Sequence, residues 1–310
     1  MNLTFDDTES ALAESCRRIL VEHAGPSRAR ELMLKDELDH DLARILGSGG
    51  YLDLAKEDYA GPVTASLVTE WCAESAVVFP VGTRAMVAPH VFEDPEGIPA
   101  VIAIMTGAPH GLVRYGVEAD ALIVVDGQGV ELFRHGAWEA ERVTSRYGYP
   151  ASRVLKRGRP YRVMPGSDGL IHLWWLLSIS AEIVGTAQAA LDVTVRYMAQ
   201  RAQFGRPLAS FQALRHRVVH CAAKLEGARW LGREAAACGP SGARAGSAAI
   251  AAYEAAAAVM VETHQMTGAI GFTQEHDLHL WTMRLQWLRA EAGGIRAYAD
   301  ILADARWPAK

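Results

Sequence analysis

Between Ser247 and Thr267 the chain reads SAAIAAYEAAAAVMVETHQMT. Alanine forms helix readily and lets a neighbouring backbone come close, so this segment predicts a helix packed tightly against others. Further helical segments flank it, at roughly Ile171 to Ala202, Phe211 to Cys238 and Leu278 to Ala305. The loop GPSGARAG, Gly239 to Gly246, precedes the alanine-rich helix. Four long helices with short connections predict a bundle.

Upstream the texture differs. Residues 99–165 give short β-rich runs, AVIAIM, ALIVVD, VELFR, RVLKR and YRVMP, separated by Gly, Asp, His and Pro. ALIVVDGQGVELFR reads as a hairpin across Asp126-Gly127. Before Pro80 the chain is helical again. One helix runs through LAESCRRILVEH, capped by Asp6 or Asp7 and ended by Gly25-Pro26. A second covers ARELMLKDELDHDLARILGSGG, and a third covers Pro62 to Val78. The expected fold class is α+β, mainly α. It comprises an N-terminal helical domain (1–85), a small middle β domain (86–168) and a C-terminal four-helix bundle (169–310).

The 310 residues carry a net charge of −5, which argues against a nucleic-acid binder with a broad basic face. The basic groups are local, Arg201 with Arg206 and Arg215 with Arg217. They suit one phosphorylated ligand better than a polymer, or else are solvated surface arginines. Cys16, Cys72, Cys221 and Cys238 form no CxxC pair and read as reduced thiols. The N-terminus has no signal pattern, and the longest apolar run, Leu173 to Ile179, is too short to span a bilayer. A cytoplasmic protein with no membrane or nucleic-acid partner is expected. P-loop, GxGxxG and GxSxG patterns are missing from the sequence. His216 and His220 have metal-ligand spacing but no third ligand, so they read as surface or interface histidines. EHDLH, Glu275 to His279, reads as a polar turn capping the last helix.

Two segments are more specific. The first is RAQFGRPLASFQ, Arg201 to Gln212. An arginine fork pairs with phosphate oxygens, Phe204 offers a face to a flat ring, and Gln203 and Gln212 offer amides. Gly205 admits close backbone, and Pro207 is expected to stop the helix. A junction that merely packs accounts equally well for the same residues. The second is HQMTGAIGFTQEHDLHLW, His264 to Trp281. There the small residues around Gln265, Gly268 and Gly271 bring backbone N–H groups towards an anion or a ribose, or else form an ordinary glycine cap.

Together the segments resemble the acyl-CoA dehydrogenase family. R-x-Q-F-G-x-P-L-x-x-F-Q is complete, from Arg201 to Gln212, and Q-x-x-G-x-x-G-F is complete, from Gln265 to Phe272. The resemblance covers Ile183 to about Arg289 clearly, and the helix–β–helix order covers the rest loosely. It implies FAD as cofactor and α,β-desaturation of an acyl-CoA, with a carboxylate taking the α-proton while a hydride passes to the flavin. It further implies an FAD shared between subunits. Arg201, Gln203, Phe204, Gln212, Gln265 and Gly268 would contact the adenosine and pyrophosphate of a neighbour's FAD.

The chain also departs from the family. Counting along from G-x-G-F to one usual place of the catalytic glutamate gives Ala292, with Glu291 adjacent. Counting back from Arg201 to the other gives Trp175, with Glu182 two turns on. Glu291 is therefore the candidate base. The T-E-x-x-x-G-S-D segment is replaced by IMTGAPHGLVRYGVEAD, and the chain is short for the family. Contacts to the adenosine half are kept, while those around the flavin ring and substrate are altered. This resembles the short subunit of the split, α2β2 acyl-CoA dehydrogenases of actinobacterial steroid catabolism. In that case a homologous partner supplies the catalytic pocket, and a bulky steroid-derived acyl-CoA is the implied substrate. The alternatives are a self-sufficient homo-oligomer using Glu291 and a non-catalytic scaffold.

Overall fold

The computed structural model describes residues 7–57, 60–94, 97–107 and 111–308. The expected Asp6 or Asp7 cap falls on side chains outside that set. Helix α1 spans Asp7–His23 and α4 spans Gly61–Glu74. The long second helix predicted between them is two helices, α2 (Pro26–Lys35) and α3 (His40–Ser48). The break has a local cause. Asp36 turns left-handed, and the Asp39 carboxylate both accepts from Leu42 N–H and pairs with Arg28. After α4 the chain passes through a fully buried π-helical turn, Thr83–Val87, into the β domain.

That domain holds two sheets. Strands β1 (Ile102–Thr106), β3 (Ala121–Val125), β4 (Gly129–Arg134) and β7 (Arg162–Pro165) form one, ordered β1-β3-β4-β7, with β1 parallel to β3. The predicted β3–β4 hairpin is present, turning at positive-φ Gly127 while the Asp126 carboxylate accepts from Gln128 and Gly129 N–H. The second sheet, ordered β2-β6-β5, comprises β2 (Leu112–Arg114), β5 (Trp138–Val143) and β6 (Ala151–Arg157).

The bundle is built on α5, Asp168–Gln200, whose apolar middle is buried among its neighbours. It is long and apolar enough to cross a bilayer, but 83% of its most apolar window is covered by protein. Helices α6 (Gln212–Ala237) and α7 (Gly242–Thr267) follow. Helix α7 takes in most of the predicted Gly239–Gly246 loop, because the Ser241 hydroxyl caps Arg244 N–H and starts it early. The predicted final helix is two, α8 (Leu278–Leu288) and α9 (Gly294–Arg306). They are parted where Ala292, Gly293 and Gly294 all turn to positive φ.

The layers are locked closely. At Gly185 of α5 an added Cβ would lie 2.0 Å from the Glu70 carbonyl of α4, so only glycine permits this helix crossing. Trp281 of α8 donates from Nε1 to the Glu74 carbonyl at 3.1 Å, and Arg284 donates to the Val77 carbonyl at 3.0 Å. The bundle is thereby tied to the N-terminal helices.

Candidate functional site

RAQFGRPLASFQ is not a helix end. Helix α5 stops at Gln200, and Pro207, expected to stop it, lies beyond the turn. Ala202–Gln203 (β8) pairs with Arg206–Pro207 (β9) in a minimal antiparallel hairpin. Its two central residues, Phe204 (φ 53) and Gly205 (φ 78), both take positive φ, as two-residue hairpin turns of the primed type require. The turn pushes Phe204 almost wholly into solvent, 91% exposed. Behind it, Phe211 meets Phe204 edge-on at 6.2 Å and carries the Arg206 guanidinium over its face at 4.1 Å. Arg201, Gln203 and Gln212 are also exposed, and among the described residues neither Arg201 nor Arg206 pairs with a carboxylate.

In the bundle, α5 and α7 run the same way, so their C-terminal ends share one end of the molecule. Tyr197, near the end of α5, packs edge-on against His276 of the loop that follows α7. The second predicted segment therefore lies at the hairpin's end of the bundle. There Gln265 and Gly268 line an open groove of about 670 Å3, floored by Ala257, Met260 and Ala269. Gly268 has φ 64 and nothing within 4 Å of where a Cβ would stand, leaving its backbone approachable. His264 stacks on Phe272 at 4.3 Å, and burial lowers its pKa, keeping the ring neutral near pH 7. EHDLH caps α8 through His276, whose Nδ1 accepts from Leu278 N–H, while Asp277 pairs with Arg30.

The two positions counted out for a glutamate, Trp175 and Ala292, line one cleft of about 390 Å3 between the β domain and the bundle. Ile104 to Thr106, Leu112, Tyr147, Trp287 and Glu291 are among its other lining residues. Trp175 is buried with its Nε1 unpaired, and behind it Trp174 stacks on His90 at 4.2 Å.

Glu291 borders this cleft, but its carboxylate is engaged from within. Arg114 of β2 donates from Nε to Glu291 Oε1 at 3.1 Å and holds Nη2 2.9 Å from Oε2. The same guanidinium grips Glu182 of α5 with both Nη atoms, at 2.6 and 3.3 Å. Glu182, named only as the nearest acid to the second counted position, is thus the other arm of a buried triad. Arg114 and Arg284 both lie over the Tyr149 ring, at 4.8 and 4.9 Å. Burial, opposed by Arg114, pushes the Glu291 carboxyl up to about 7. Sequence reasoning missed Arg114, because one arginine at a strand end looks like any solvated one.

The sequence and the fold have counterparts in known proteins. The model of the acyl-CoA dehydrogenase C-terminal domain matches residues 177–305. The chain is 30% identical over 297 residues to acyl-CoA dehydrogenase IpdE2 of Mycolicibacterium smegmatis, covering 88% of this chain and 90% of that one. To IpdE2 of Mycobacterium tuberculosis it is 29% identical, covering 91% and 92%. The chain belongs to the acyl-CoA dehydrogenase family. Its fold matches that of one chain of the ChsE4-ChsE5 complex from M. tuberculosis over 100% of this chain and 100% of that one, with a TM-score of 0.85 at 21% identity. It also matches butyryl-CoA dehydrogenase of Megasphaera elsdenii over 99% of this chain and 100% of that one, with a TM-score of 0.83 at 18% identity.

Proposed function

We propose that this chain is the cofactor-donating half of a two-subunit, FAD-dependent acyl-CoA dehydrogenase. It would reach across to hold the adenosine and pyrophosphate of an FAD whose ring lies in a homologous partner. The observation that carries the reading is the split between two places in one chain. At the hairpin's end, exposed Phe204, carboxylate-free Arg201, Gln265 and open Gly268 are set out for a ligand outside the chain's own core. In the chain's own cleft, Trp175 and Ala292 occupy the positions counted out for a base, and Glu291 is held by Arg114.

The residues present fit FAD unequally. An aromatic face, a free guanidinium and approachable backbone suit the pyrophosphate and adenosine. A cleft of about 390 Å3 walled by Trp175 and Trp287 leaves little room for a flavin ring together with an acyl thioester. FAD supplies a hydride acceptor when bound. On this reading the chain's own task is to position that cofactor from its far end. A steroid-derived acyl-CoA is the proposed substrate class, in keeping with the "steroid ACAD" Tcur3481-Tcur3483, whose fold this chain shares with a TM-score of 0.82.

A second reading rests on Glu291 alone. Its carboxyl borders the cleft, and a value near 7 suits a general base in a self-sufficient enzyme. Co-expression with a candidate homologous subunit from the same source separates the two. A stable complex with one FAD per two chains, and a single chain without FAD or activity, is the expected result. Stoichiometric FAD and dehydrogenase turnover in the single chain would overturn the proposal. Glu291→Gln should leave turnover of the complex within a few-fold, whereas the second reading requires its abolition with FAD retained. Loss of FAD from the complex carrying Arg201→Ala would exclude a pure scaffold.

A further inference from the structure

The groove beside Gln265 and Gly268 contains a cation outside both sequence patterns. Arg289, from the C-terminal end of α8, lines it together with Gln286. Its guanidinium carbon lies 4.0 Å from the centre of the Tyr253 ring on α7, which fixes the fork against the groove wall. Its Nε is buried without a hydrogen-bond partner.

Two other arginines of the bundle are matched to acids, Arg217 to Glu262 and Arg229 to Glu70 and Glu226. Arg289 pairs with none among the described residues. Among the described residues it is also the only charged side chain lining this groove, since His264 is neutral near pH 7. A half-buried guanidinium without a counter-ion gives up part of its hydration, and stacking on the Tyr253 ring offsets only part of that loss. An anion entering the groove would complete it, and a planar fork held on an aromatic face suits phosphate oxygens.

We infer that Arg289 is an additional phosphate-binding residue, clamping the dinucleotide cofactor from the α8 side of the groove while Gln265 and Gly268 hold it from the α7 end. The inference rests on the reading given under Proposed function and extends it to a residue that the motifs do not contain.

The test uses the complex with the homologous subunit and measures the FAD dissociation constant by equilibrium dialysis, following flavin absorbance. Arg289→Gln should weaken FAD about 10- to 100-fold, the range for loss of a charge-assisted contact. It should also flatten the rise of that constant with KCl, since one screened ion pair is gone. Arg289→Lys should recover part of the affinity by restoring charge without the fork. Arg201→Ala is measured in parallel. Unchanged FAD affinity and salt dependence in Arg289→Gln, with FAD lost from Arg201→Ala, would overturn this inference alone. Unchanged affinity in both variants would overturn the underlying reading as well. Dissociation of the Arg289→Gln subunits on gel filtration, with FAD affinity unaltered at concentrations where they remain assembled, would assign Arg289 to a partner carboxylate and overturn the inference too.

Discussion

Arg114 holds Glu291 along one edge of its guanidinium, Nε donating to Oε1 at 3.1 Å and Nη2 lying 2.9 Å from Oε2, while Nη1 donates to Glu182 at 2.6 Å. The pairing joins elements from separate parts of the fold: a β-domain strand, the middle of the longest helix, and the loop between α8 and α9. A carboxylate held this way serves the architecture before it serves a substrate. The strand carrying Arg114 also borders the cleft through Leu112, so the same lock fixes the cleft's width.

Because burial raises the Glu291 carboxyl to about 7, against an unfolded value near 4.5, the folded state favours its protonated form. The associated stabilisation is fully present below pH 4.5 and is lost as pH climbs through about 7. At about 1.36 kcal/mol per pH unit the loss is at most about 3 kcal/mol. Glu291→Gln should therefore gain stability relative to the parent between pH 5 and pH 8. Thermal unfolding across that range checks this, and a difference that does not change with pH would refute it.

Removing Arg114 leaves two carboxylates buried beside each other. Arg114→Met should cost about 3–5 kcal/mol, the range for breaking a buried pair from one side. Adding Glu182→Gln and Glu291→Gln should restore much of it, because the uncompensated charge has then gone. Urea denaturation of the single and triple variants provides the measurement. Equal losses in both would show that Arg114 acts through packing on Tyr149 instead.

Two glycines should respond oppositely to alanine. At Gly185 a Cβ would overlap the Glu70 carbonyl, so Gly185→Ala must push α4 from α5, at a cost of roughly 1–3 kcal/mol or more. At Gly227, inside α6, nothing lies within 4 Å, and Gly227→Ala should stabilise by about 0.5–1 kcal/mol. Midpoints of thermal unfolding for the two variants give the comparison.

The bundle was legible because its helices are long, apolar and rich in alanine, and the β3–β4 hairpin because Asp126-Gly127 is a strong turn signal. Helix breaks at Asp36 and Ala292 were not. Asp36 sits in a polar stretch that continues a helical pattern, and at Ala292 the next two glycines are tolerable inside one. The hairpin at Phe204 was hidden because its strands are two residues long and its turn carries phenylalanine in place of asparagine. For the site, the motifs fixed Arg201, Phe204, Gln265 and Gly268 as residues to inspect. Only the fold brings Arg114 to Glu182 and Glu291, which lie 68 and 177 residues further along the chain.

Phe204 is the sharpest point at which structural and functional demands separate. A side chain bearing a Cβ pays about 1 kcal/mol in the left-handed region, and asparagine is the residue this turn favours ahead of glycine. If the hairpin only packs, Phe204→Asn should be neutral or stabilising, and the complex should behave like the parent. If Phe204 meets the cofactor, the same variant should hold or raise the thermal midpoint of the chain while FAD retention in the complex falls about 10-fold, since an aromatic face contributes on the order of 1 kcal/mol or more to such a contact. Flavin absorbance per complex after gel filtration, read beside thermal unfolding, separates the two. A variant that is both as stable and as fully flavinylated as the parent would remove Phe204 from the binding surface.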